Sequence, residues 1–170
     1  LEAHPVLAEL AVTLAKTGGT AHVMGLLSDG GVHSHHDHML AVIRGLANAG
    51  VAVAVHGFTD GRDVLPKVAE QQVPAFAKNL PSGAKFASVI GRYYAMDRDQ
   101  RWERTKLAFE AMVRPDHQPR YASVGAAIAA AYAAGETDEF ITPRILDDYA
   151  GMADGDAVIF TNFRADRARQ

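Results

Sequence analysis

Short apolar runs alternate along the chain with longer stretches in which apolar positions recur every third or fourth residue. The short runs are Ala21–Leu27, Val51–Phe58, Lys85–Ile90 and Ala157–Thr161, and their near-continuous apolarity is that of strands covered on both faces. The helical period predicts helices over Pro5–Lys16, Asp37–Ala49, Pro66–Leu80, Asp99–Val113, Ser123–Ala134 and Pro143–Tyr149. Pro5 and Pro66 suit a first helical turn, and Gly50 and Gly135 suit a stop. Strands alternating with helices predict an α/β fold, a three-layer sandwich whose mostly parallel central sheet carries helices on both faces. At 170 residues the chain has room for one domain with a proper core.

In parallel α/β sheets, ligands sit beyond the carboxyl ends of the strands. Each of the four apolar runs is followed by a polar cluster: Ser28–His38 with four histidines, Thr59–Asp63, Gly91–Asp99, and Asn162–Arg167. Four separate loops that each place Arg, His or Asp on one sheet edge form a stronger signal than any one loop.

Composition narrows the chemistry. A net charge of −3 and a pI near 6.2 give no global positive field, which argues against nucleic acid or an anionic membrane as partner. Any anion must be caught locally. The absence of cysteine excludes disulfides, thiolate zinc sites and thiol nucleophiles, and fits a reducing compartment. No apolar run approaches a membrane span and no signal segment opens the chain, so a cytoplasmic location is expected. The chain begins with Leu and closes in a polar segment that reads as an interrupted helix start, the pattern of an excised domain. Of the 17 basic residues 12 are Arg, the planar fork that grips carboxylate and phosphate at two points, although a coding bias produces the same excess.

The clusters differ in what they can do. His33, His35, His36 and His38 have a spacing that can present imidazoles to a metal, but a helix starting near Asp37 would splay the rings and turn His36 and His38 away from His33. In Asp60-Gly61-Arg62-Asp63, Arg62 can clamp an acid while Asp63 moves a proton; an ordinary turn with a surface pair accounts for the same letters. Arg92 and Arg98 flank an aromatic pair, and Arg164 and Arg167 stand one helical turn apart, where two guanidinium groups repel unless an anion lies between them. Neutralisation by Asp97, Asp99 and Asp166 is the alternative. No dinucleotide fingerprint, Walker loop or nucleophile elbow is present.

Taken together, Gly25–His35, Asp60–Asp63, Gly91–Asp99 and Asn162–Gln170 resemble, in order and across nearly the whole chain, the cofactor-independent phosphoglycerate mutases. The resemblance implies an isomerase of glycolysis and gluconeogenesis that interconverts 3-phosphoglycerate and 2-phosphoglycerate through a phosphoserine with two Mn(II) ions. It further implies that the serine and the metal ligands belong to a phosphatase-like domain, into which the domain seen here is inserted as the phosphotransferase part. By motif match His33, Arg62, Asp63, Arg92, Arg98, Arg164 and Arg167 correspond to substrate-binding positions, with Asp63 handling the hydroxyl proton. No metal is expected in this chain, and His36 and His38 match no functional position. A free-standing module that binds a small phosphorylated acid, and a metal-dependent hydrolase using the histidine run, are the competing readings.

Overall fold

The computed structural model describes residues 4–146 and 148–168. Its six strands are β1 (Ala21–Leu27), β2 (Val53–Thr59), β3 (Ala84–Gly91), β4 (Arg120–Tyr121), β5 (Arg144–Leu146) and β6 (Ala157–Phe160). They form one sheet in the order β4-β5-β3-β2-β1-β6. Every pairing is parallel except β3 with β5, where Ser88 faces Ile145 and Val89 faces Arg144. Every residue of β1 and of β2 is buried, as runs without polar alternation require.

Helices cover both faces of the sheet. On one face, α1 (Pro5–Thr17), α2 (His36–Asn48), α3 (Ala69–Lys78) and α6 (Val124–Ala133) close over Val23, Val55 and Val89 through Leu14, Ile43, Val73 and Ile128. On the other, α4 (Arg92–Ala95) and α5 (Trp102–Val113) close over Leu26, Phe58 and Ile90 through Ala95, Ala108 and Ala111. This is the expected three-layer sandwich. Pro5 opens α1, and Gly50 and Gly135 follow α2 and α6 with φ of 81° and 82°, where glycine bears no Cβ penalty.

Two expectations fail at prolines. Pro143–Tyr149 does not form a helix: Arg144–Leu146 is the antiparallel strand β5, and the short strand β4 beside it had no apolar run to announce it. Pro66 does not open α3, which starts at Ala69. The buried Asp138 carboxylate accepts the N–H groups of Val68 (2.8 Å) and Ala69 (3.0 Å) and fixes that start from a distant loop. Pro74 lies inside α3 instead.

At the amino-terminal side of the strands a buried polar chain crosses the sheet. Asp156 Oδ2 lies 3.0 Å from His22 Nε2, His22 Nδ1 lies 3.0 Å from His56 Nε2, and His56 Nδ1 lies 2.8 Å from Ser88 Oγ. Asp156 also accepts the N–H groups of Thr20 and Ala153, so although burial opposes ionisation these bonds and His22 hold its carboxyl below the usual range. An ionised Asp156 accepts the Nε2–H of His22, and with that ring neutral the order runs on, His56 Nε2–H donating to His22 and Ser88 O–H to His56.

Candidate anion site at the strand ends

Because β1, β2, β3 and β6 run parallel, their carboxyl ends lie on one edge, and the four polar clusters leave from it. The loops are tied to each other. Asn162 Oδ1 accepts the N–H of Leu26 (3.0 Å), the N–H of Phe163 reaches the carbonyl of His33 (2.9 Å), and Ser34 Oγ donates to the carbonyl of Leu26 (2.5 Å). Gly61, with φ of 67°, has room for no side chain: a Cβ there would stand 2.8 Å from the Glu139 nitrogen.

At the floor, Arg92 is 2% exposed and its Nη1 lies 2.6 Å from both Asp60 Oδ1 and Asp63 Oδ2. Asp60 Oδ1 also accepts the N–H groups of Arg62 (3.1 Å) and Asp63 (3.0 Å), which folds the turn around its carboxylate. Burial works against ionisation of Asp60, yet the hydrogen bonds from Asp63, Ser28, Arg92 and Arg62 hold it below the ordinary carboxylate range. Burial likewise opposes the charge on Arg92, and its two aspartates more than restore it.

His33 is buried between two acids, with Nε2 3.9 Å from Asp63 Oδ2 and Nδ1 3.7 Å from Asp166 Oδ1. Burial, and then Arg92 and Arg164, outweigh those acids and hold the imidazole below its usual pKa, so the ring is neutral at neutral pH. Arg167 is buried and donates from Nη1 to the Met96 carbonyl (2.8 Å). Its burial, followed by the charges of Arg98, Arg92 and Arg62, lowers its basicity. Four of the arginines singled out in the sequence therefore share one electrostatic neighbourhood. The outer cations are looser: Arg62 faces Glu139 at 3.6 Å, while Arg98 and Arg164 both reach Asp166, at 3.2 and 3.0 Å.

His33 Nδ1, Arg92 Nη2 and Arg167 Nε are all buried without a hydrogen-bond partner among the described residues. Buried polar nitrogens of this kind are costly unless something else satisfies them. A small anion with several oxygens would do so.

Neutralisation of the arginines is thus real but differently distributed than expected. Asp166 engages Arg98 and Arg164, whereas Asp97 pairs with Arg104, and Arg92 is neutralised by Asp60 and Asp63. Arg164 and Arg167 bracket a single 3₁₀ turn, Ala165–Arg167, in place of an α-helix start. Arg169 and Gln170, the end of the fourth motif, lie outside the described residues. The histidine run also departs from expectation. The helix start does not splay all four rings: those of His36 and His38 lie 4.8 and 5.8 Å from that of His35, and His33 alone turns into the site. The one group of three metal-capable side chains among the described residues, His35, His36 and Asp37, excludes His33.

A model of the family described as "BPG-independent PGAM N-terminus" matches residues 1–170. The chain belongs to this family. Among proteins named 2,3-bisphosphoglycerate-independent phosphoglycerate mutase, that of Dinoroseobacter shibae is 54% identical over 167 residues, covering 98% of the chain and 33% of the relative. That of Gluconobacter oxydans is 49% identical over 170 residues, covering 100% and 33%, and that of Paracoccus denitrificans 51% over 164 residues, covering 96% and 32%. The chain thus spans about a third of the length of the mutases it matches. Asp60 and Glu139 are the members of this candidate site to which the sequence alone gave no role, and Asp166 entered there only as a neutralising partner of the arginines. Asp60 had a signal, in the polar cluster that follows an apolar run; Glu139 had none.

Proposed function

We propose that the chain is the substrate-holding, phosphotransferase domain of a 2,3-bisphosphoglycerate-independent phosphoglycerate mutase, an isomerase that interconverts 3-phosphoglycerate and 2-phosphoglycerate in glycolysis and gluconeogenesis. The observation that carries this reading is the set of buried nitrogens on Arg92, His33 and Arg167 at the strand ends that have no partner among the described residues, rimmed by Arg62, Arg98 and Arg164. Its family membership supports the reaction, and the buried nitrogens support the place. The seryl acceptor and two Mn(II) ions would belong to a phosphatase-like domain outside this chain. Guanidinium groups are the wrong donors for a dication, so the rim does not fit the metal and no step here runs through it.

In this reading the inner arginines and neutral His33 hold the carboxylate and the phosphate or free hydroxyl of the glycerate, and the outer arginines close around it. While the phosphoryl group resides on serine, the rim keeps the glycerate from leaving and lets it turn end for end. Asp63, fixed by Arg92 and beside His33, takes the proton from the glycerate hydroxyl that next attacks and returns it to the one released. Titration with 2- and 3-phosphoglycerate, followed by backbone NMR, tests the reading. Shifts are expected in residues 28–36, 60–63, 92–98 and 162–167. Shifts confined to another face, or none at millimolar ligand, would refute it.

A further inference from the structure

Asp166 stands among several cations at once. Its Oδ2 lies 3.2 Å from Arg98 Nη1, and its Oδ1 lies 3.0 Å from Arg164 Nε and 3.7 Å from His33 Nδ1. Arg98 and Arg164 are close to half exposed, so neither needs an internal partner to avoid a desolvation penalty. Burial opposes ionisation of Asp166, but Arg164, His33, Arg98 and Arg167 hold its carboxyl below the ordinary range. The Asp166 Oδ1 atom is buried and makes no well-formed hydrogen bond among the described residues, although two cationic or imidazole nitrogens lie within 4 Å. It is near these donors without being fitted to them.

We propose that Asp166 is a tethered competitor, a carboxylate that occupies the oxyanion subsite of Arg98, Arg164 and His33 while the domain is empty and gives way to an oxygen of the phosphorylated acid. The proposal rests on the reading of the strand ends as an anion site. Asp166 belongs to the same 3₁₀ turn as Arg167, and Arg164 directly precedes that turn, so a small rotation of one turn exchanges the internal carboxylate for an external one. In the empty domain the carboxylate screens Arg98, Arg164 and Arg167 from one another. A ligand then binds only in the fraction of molecules whose subsite is free, which lowers its apparent affinity by that fraction and lets the glycerate depart once it has reacted.

The experiment compares the wild-type chain with Asp166→Asn, which keeps size and removes charge, using sulfate and 3-phosphoglycerate as probes in calorimetric titrations at low ionic strength. Asp166→Asn is expected to bind both roughly three- to tenfold more tightly, the range set by two exposed ion pairs. Unchanged or weaker binding by Asp166→Asn, with wild type binding normally, overturns the competitor while leaving the anion site standing. Failure of wild type and Asp166→Asn alike to bind either probe overturns both. A second measurement needs no variant: the Asp166 carboxyl, followed by carbon NMR in wild type, should titrate at a higher pH in saturating sulfate than without it. A titration that sulfate does not move refutes displacement, because a merely structural carboxylate would keep its partners.

Discussion

The buried chain from Asp156 to Ser88 makes stability depend on pH in a window set by one ring. His56 is fully buried, and desolvation, followed by the neighbouring His22, lowers its pKa from 6.5 to about 3. In the unfolded chain the same ring takes a proton near pH 6.5, so between these values the unfolded state binds more protons and stability falls as pH falls. From about pH 7.5 to about pH 5 the ring should cost about 2 kcal/mol, since pH 5 lies roughly 1.5 units below the unfolded value and each unit is worth about 1.4 kcal/mol. Stopping at pH 5 keeps most of the carboxylates ionised. His56→Gln retains a polar side chain and removes the titration. Urea unfolding of both proteins at the two pH values isolates the effect, because the contribution of His33, which has the same sign, is common to both. Wild type should lose about 2 kcal/mol more than His56→Gln over that interval. Equal losses, or a His56 ring signal that titrates near pH 6.5 in the folded protein, would refute the reasoning.

The chain alone should show no interconversion of 3- and 2-phosphoglycerate with or without Mn²⁺, and turnover by a preparation shown to be free of host mutase would count against this. Arg164→Ala removes a half-exposed guanidinium and should weaken sulfate binding by about two- to fivefold, whereas Arg44→Ala, exposed on α2, should leave the titration unchanged. Arg167→Ala should weaken binding and also lower stability by about 1–3 kcal/mol in urea, because it leaves the Met96 carbonyl without its donor. Asp138→Ala should cost about 3 kcal/mol by the same assay, since the N–H groups of Val68 and Ala69 and the Tyr132 hydroxyl all lose their acceptor; a loss under 1 kcal/mol would contradict the capping role.

The central strands and five of the helices were legible because burial on both faces, or on one, leaves a periodic mark. β1 runs from Ala21 to Leu27 as expected, and the ends of β2 and β3 shift by one or two residues. What the pattern could not carry were elements defined by remote partners. Arg144–Leu146 is a strand because β3 offers it Ser88 and Val89 on one side and β4 offers it Arg120 and Tyr121 on the other, and locally Pro143 followed by Ile145 and Leu146 reads equally well as a helix start. The start of α3 is set by Asp138, some 70 residues away in sequence. At the site, the residue types and their common edge followed from the parallel topology. The division into buried Arg92 and Arg167 against exposed Arg62, Arg98 and Arg164 did not, because it depends on how far each loop folds back over the sheet.

That division has a thermodynamic consequence. The buried pair is already held, Arg92 by two aspartates and Arg167 by a carbonyl, and would engage a ligand without surrendering rotamers. The three outer side chains, 52%, 45% and 47% exposed, would have to be immobilised to close on a ligand, at roughly 0.5–1.5 kcal/mol each. Their ordering would thus consume about 1.5–4.5 kcal/mol, one to three powers of ten in affinity, before any attraction is realised. Any surface that packed against Arg62, Arg98 and Arg164 and restricted them beforehand would tighten binding by that factor without touching the ligand.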